Sequence, residues 1–99
     1  MNNFKYRYYN EENEEMVYVN ESEGRMPSTG VVDVDNNEAY VGDVVRYGVG
    51  FSKKGKIIFE NSSFLIEPED AYALVDRIDT AFKIIGNIVE NPELFQKEE

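Results

Sequence analysis

Apolar and polar residues alternate with a period of two at the start of the chain. Phe4, Tyr6 and Tyr8 are interleaved with Lys5, Arg7 and Tyr9, and Met16-Val17-Tyr18-Val19 is a second apolar run. That period belongs to a half-buried strand. The polar run Asn10-Glu11-Glu12-Asn13-Glu14-Glu15 between them predicts an antiparallel hairpin over residues 1–20. Residues 21–30 contain Gly24, Pro27, Ser28 and Gly30 and predict a surface loop. Val31–Val34 is a short extended piece ended by a turn at Asp35-Asn36-Asn37.

The stretch on which the rest depends is Glu38-Ala39-Tyr40-Val41-Gly42-Asp43-Val44-Val45-Arg46-Tyr47. Its β-branched and aromatic residues predict a central strand over 39–47, with Val45 and Tyr47 on one face and Val44 and Arg46 on the other. Gly42 permits a sharp turn or a close backbone approach, and Asp43 is placed to accept hydrogen bonds from amides of that turn. Gly48 and Gly50 flank Val49 and predict a bulge or bend. Ser52–Lys56 then predicts a hairpin tip in which Gly55 takes positive φ. Ile57–Glu60 returns, turns at Asn61-Ser62 and leads into a strand at Ser63–Ile66.

From Pro68 the period changes. Proline with Glu69 and Asp70 suits a helix first turn, and Ala71, Leu74, Val75, Ile78 and Phe82 follow helical spacing. Ile84–Val89 predicts the closing strand, and Asn91 the cap of a short helix from Pro92, with Leu94 and Phe95 as its buried contacts. The expected fold is mainly β (β-rich α+β): a small SH3-like or partly open β-barrel, one helix at about 68–80 and a short C-terminal helical cap. The chain is one domain, 1–99, made of a hairpin (1–20), a loop (21–30) and a barrel with its helix (31–99).

Composition narrows the chemistry. A hydrophobic content of 41% supports a folded core. With no cysteine there is no disulfide or thiolate chemistry, and with no histidine the commonest metal ligand and general base are missing. The expectation is a non-enzyme, with no catalytic, cofactor-binding or metal residues assigned and no cofactor. A net charge of −10, from 20 acids and 10 bases, disfavours nucleic acid and anionic membranes as partners. No apolar run of about 20 residues is present to span a bilayer. The N-terminus lacks a signal-peptide core, so a cytoplasmic protein is expected. The sequons at Asn20 and Asn61 are discarded with it.

Each remaining pattern has a plainer reading. Asp33-x-Asp35-x-Asn37 is like the start of a calcium loop, but Glu38 and Val44 stand where that loop wants glycine and glutamate, so a turn is expected. Lys53, Lys54 and Lys56 can grip a phosphate backbone or simply solubilise a hairpin tip and an edge. Glu11, Glu12, Glu14 and Glu15 offer an anionic surface or a solvated turn. An enzyme would have to work with carboxylates, tyrosine, lysine and Mg²⁺, and the paired Glu69/Asp70 is better explained as helix capping.

Three blocks resemble the YopX family, small proteins encoded by bacteriophages and prophages. Phe4–Tyr9 through Met16-Val17-Tyr18 resembles the family's N-terminal block, and Thr29-Gly30-Val31 through Tyr40–Tyr47 its central one. Ile85-Gly86-Asn87-Ile88-Val89-Glu90-Asn91-Pro92-Glu93-Leu94 resembles the C-terminal signature, with Val89 in place of the usual tyrosine. The insert between the first two blocks is short here (Asn20–Ser28), and Asn36 replaces a glycine in a turn that asparagine tolerates. The Pro68–Phe82 segment looks specific to this member. The resemblance implies a β-rich fold, a phage origin and residence in the host cytoplasm, is compatible with self-association, and implies no reaction. The expected function is a phage accessory protein: a non-enzymatic protein-interaction or self-associating module with an unknown protein partner. The alternative is an acidic DNA-mimic inhibitor of a host nuclease or restriction system.

Overall fold

The computed structural model describes residues 5–21, 24–68, 76–77 and 81–94. The alternating N-terminal runs form β1 (Tyr6–Asn10) and β2 (Glu15–Val19), paired antiparallel from Tyr6↔Val19 to Asn10↔Glu15. Asn10 Oδ1 accepts the Glu12 and Asn13 amides and closes the turn. β3 (Met26–Val32) pairs with β1 and with β4 (Glu38–Tyr40), giving a four-stranded sheet in the order β2-β1-β3-β4. The loop expected over 21–30 thus becomes strand at Met26. Pro27 stands opposite Tyr6 of β1, and Gly30, at φ 76°, lies within a register shift between Ser28 and Val32 on the β4 side.

The second sheet has five strands in the order β8-β7-β6-β5-β9. It comprises β5 (Asp43–Tyr47), β6 (Lys53–Glu60), β7 (Ser63–Pro68), β8 (Asp76–Arg77) and β9 (Phe82–Asn87). The sheet curls into a half-barrel, and the chain is a small, β-rich domain, as the alternation pattern predicts. β5 lies between β6 and β9, so the C-terminal strand does close onto the central stretch. It runs over 82–87, two residues earlier than expected at each end. The turn at Asn61-Ser62 has φ of 52° and 63°, the double left-handed geometry of a tight β-hairpin.

Three expectations are corrected. The stretch 39–47 is two strands in different sheets, broken at Gly42, whose φ is 98°. Alternation continues across this corner because both arms feed one core. Gly55 is not at a tip: it is buried inside β6, while the chain reverses through the 3-10 turn Val49–Phe51, where Gly48 and Gly50 take φ of 80° and 62°. The helix at 68–80 meets strand at Pro68 and again at Asp76–Arg77, where Leu65 and Ile66 of β7 find an edge partner. Its remaining residues, 69–75 and 78–80, lie outside the described residues, as does Phe95.

The core is formed by Ala39, Val45, Tyr47, Ile57, Ile66 and Phe82, with Val31, Val41, Phe64 and Ile84 packed against it. Two sets of hydrogen bonds stitch the sheets together. At the corner, Gly42 N–H donates to Ile57 O and Ile88 N–H to Gly42 O, both at 2.9 Å. At the other end the Asp33–Asn37 turn reaches β9, where Val34 N–H donates to Phe82 O at 3.0 Å. The buried Asp33 carboxylate accepts the Asp35 and Asn37 amides on Oδ1 and the Ile84 amide on Oδ2. Asp33→Ala strands three donors and should destabilise the fold by about 2–3 kcal/mol, read by urea denaturation. Asn36 in the same turn has φ 66°, the left-handed position that asparagine accepts.

Candidate functional site

The corner at Gly42 builds a polar cleft. Asp43, the first residue of β5, turns one carboxylate oxygen to the Tyr40 amide at 2.8 Å and the other to the Arg7 guanidinium at 2.7 Å. Arg7, the second residue of β1, is only 4% exposed and lies with its guanidinium carbon 4.9 Å from the centre of the Tyr40 ring. Its Nε has no hydrogen-bond partner. The pair neutralises itself, and among the described residues the remaining charge facing the cleft is Glu38. Burial lifts the Asp43 carboxyl above its ordinary value, while the guanidinium of Arg7 and the Tyr40 amide pull it back. Burial also raises the Tyr40 phenol, reinforced by the carboxylate of Glu38, with which it is hydrogen-bonded. Glu38 is held from its other side by the Ser28 hydroxyl at 2.5 Å.

The cleft has a volume of about 500 Å³ and lies between the inner face of the first sheet and β9, with Tyr18 of β2 on its wall. Tyr18 meets Tyr40 edge-on, ring centres 5.4 Å apart. This is a site of hydrogen-bonding groups fixed by one another. Neither Arg7 nor its pairing with Asp43 stood out in the sequence. The signal was one arginine inside an aromatic alternation and one aspartate after a glycine, 36 positions apart.

A second depression of about 550 Å³ is apolar. It is lined by Tyr6, Pro27, Phe59 and Phe64 together with Ser28–Gly30 and Lys5. Phe59 and Phe64 are opposite each other in the β6–β7 hairpin, rings 4.9 Å apart, and Phe59 is 54% exposed.

The other candidates resolve into structure. Asp33 spends both carboxylate oxygens on backbone amides, and among the described residues no group of three His, Cys, Asp or Glu is placed to hold a metal ion. Lys53, Lys54 and Lys56 lie along β6 rather than on a tip, so the pleat sends Lys53 to one face and Lys54 and Lys56 to the other. They do not form one basic patch. Glu11 and Glu14 of the hairpin turn converge with Glu90 near Tyr9; loss of hydration and then these three carboxylates raise its phenol. Glu69 and Asp70 lie outside the described residues. Among those described, no helix is long and apolar enough to cross a membrane.

The C-terminal signature is a turn device. Asn87 Oδ1 accepts the Val89 and Glu90 amides, its Nδ2 donates to Glu90, and Asn91 turns its own Oδ1 back to the Asn87 amide. Asn91 therefore caps β9 with its side chain, and its carbonyl starts the 3-10 turn Pro92–Leu94. Gly86 is required by the same packing: a Cβ there would lie 2.5 Å from Leu94 Cδ1 and 2.7 Å from Asn91 Oδ1.

The chain is thus a small two-sheet β domain that carries a self-neutralised polar cleft and an exposed aromatic groove. The family model described as YopX protein matches residues 20–96, and the chain belongs to that family. The match takes in the corner, the Asn87–Asn91 device and both Phe59 and Phe64, and begins after β2. No curated protein matches the chain.

Proposed function

We propose that this protein is a non-enzymatic interaction module: a phage or prophage accessory protein of the bacterial cytoplasm that holds a protein partner or further copies of itself. The observation that carries this reading is the apolar groove beside Phe59. A phenylalanine more than half exposed, packed at a tilt against a second aromatic ring at the rim of an open depression, is what a contact surface offers a partner. The polar cleft supports it from the other side, since Arg7 and Asp43 are bound to each other and Glu38 is held by the Ser28 and Tyr40 hydroxyls.

The test is capture from lysate of the encoding bacterium, with light scattering over a protein concentration series. Phe59→Ser removes the exposed ring from the strand surface and should cost less than about 1 kcal/mol of stability. It is expected to abolish capture or self-association while the thermal midpoint stays close to the parent's. A parent that remains strictly monomeric and retains no partner overturns the proposal.

A second reading draws on the crowding of Glu11, Glu14 and Glu90 around Tyr9. An end of the molecule this rich in carboxylates suits a DNA-mimic inhibitor of a host nuclease or restriction system. Replacing Glu11, Glu12, Glu14 and Glu15 by glutamine without loss of nuclease inhibition removes that reading.

A further inference from the structure

Among the described residues, β2 ends the first sheet and is paired on one side only, with β1. Five consecutive register pairs run without a shift, so the strand is regular to its end. An open strand edge carries a row of amide and carbonyl groups ready for another strand. Proteins normally blunt such edges with lysine, proline or a bulge. Glu15-Met16-Val17-Tyr18-Val19 has no lysine, proline or bulge, its one charged residue is Glu15 at its start, and three of its residues are strong strand formers. Among the described residues no other strand lies along this edge.

The charge around the edge selects its occupant. Glu11, Glu12, Glu14 and Glu15 stand at one end and Glu21 at the other, all exposed. A second copy pairing antiparallel about Val17 would set the acidic turn of each chain against Glu21 of the other, with like charges at both ends. A basic strand meets complementary charge at both ends. The face of β2 that carries Tyr18 opens on the polar cleft, whose remaining charge is Glu38, and the Tyr18 ring is 37% exposed. A lysine or arginine opposite Tyr18 lies over that ring and toward Glu38.

We infer that β2 is a strand-addition site for an extended, basic segment of a protein partner, with a basic side chain opposite Tyr18. This rests on the interaction-module reading and names the chemistry of the partner. Main-chain hydrogen bonds supply the register, and the flanking carboxylates supply selectivity and rate of association.

The test uses the full chain labelled with ¹⁵N and an end-blocked peptide of alternating lysine and valine. Its glutamate–valine counterpart is the control. The lysine peptide is expected to shift amides of Met16–Val19 and slow their hydrogen exchange, with affinity that falls as salt rises. Replacing Glu11, Glu12, Glu14 and Glu15 by glutamine should weaken it by about tenfold, with the thermal midpoint unchanged. Tyr18→Lys, an edge-blocking change at an exposed position, should also weaken it. The inference is overturned if the lysine peptide does not bind, or if it shifts only the hairpin turn and leaves β2 exchange unaltered. It is equally overturned if β2 amides shift with protein concentration alone, which would make a second copy the occupant. Where β2 stays silent but Phe59→Ser still abolishes partner capture, the interaction reading stands and the strand-addition site falls; where both fail, both are lost.

Discussion

Asp43→Ala should lower the unfolding free energy by about 3–5 kcal/mol, the range for removing one partner of a buried ion pair. The guanidinium left behind is almost fully buried, and its Nε is already without a partner. The Tyr40 amide loses its acceptor as well, at the corner where the chain passes from one sheet to the other. Asp43→Asn keeps an acceptor for that amide but not the charge, so it should fall between the parent and the alanine variant. Pairing it with Arg7→Met removes both charges and leaves apolar volume in the arginine's place, and should recover most of the loss. Urea denaturation of the parent, Asp43→Asn, Arg7→Met and the double variant at constant m-value measures the coupling. Simple addition of the two single losses would mean that Arg7 and Asp43 do not act as a pair.

The same pair predicts a pH dependence. Burial already raises the Asp43 carboxyl, and Arg7 is the leading influence holding it down. Without the guanidinium it rises further. A carboxyl whose folded value lies above its unfolded value takes up a proton on folding. The resulting penalty is absent below the ordinary carboxylate range and complete above the folded value. Arg7→Met should therefore show its smallest deficit in acid and a growing one toward neutrality. A deficit that is constant with pH would show that Asp43 keeps its charge without Arg7.

What the sequence disclosed and what it hid follow from the range of the interactions. The β1–β2 hairpin and the Asn61-Ser62 turn rest on period-two alternation and local turn geometry, and both were legible. The closing strand was legible as a strand, but its ends were not. Phe82 also fits the helical spacing counted from Ala71, while Ile88 and Val89 continue the apolar run into a turn set by the side chain of Asn87. The split at Gly42 was hidden because Ala39, Val45 and Tyr47 point into one core from two sheets, and alternation alone does not mark a change of sheet. Only the end of β3, Val31-Val32, was legible as extended; Met26–Gly30 was hidden because a strand that tolerates Pro27 and Gly30 reads as a loop. The cleft was hidden for the same reason as the corner: the pairing of Arg7 with Asp43 exists only once the hairpin has folded back on it.

Gly55→Ala should cost about 3 kcal/mol, at the upper end of what overpacking does. Gly55 sits in β6 between Val45 of β5 and Pro68 of β7. A Cβ built there falls 2.6 Å from the carbonyl oxygen of Glu67 and 2.8 Å from Ile66 Cγ2. The first of these is backbone, held by the β6–β7 register, so relief means moving a strand rather than turning a side chain. Its φ is not left-handed, and the whole penalty is steric. Gly50 is the contrast: φ is 62° and nothing lies within 4 Å of a Cβ. Gly50→Ala should cost about 1–2 kcal/mol from backbone conformation alone. Asparagine separates the two causes, since it tolerates the left-handed region but is larger than alanine: Gly50→Asn should recover much of the loss, and Gly55→Asn should be worse than Gly55→Ala. The same β6–β7 register sets Phe59 against Phe64. A Gly55→Ala chain that folds should hold partners less well than the parent, whereas Gly50→Ala should leave that binding intact.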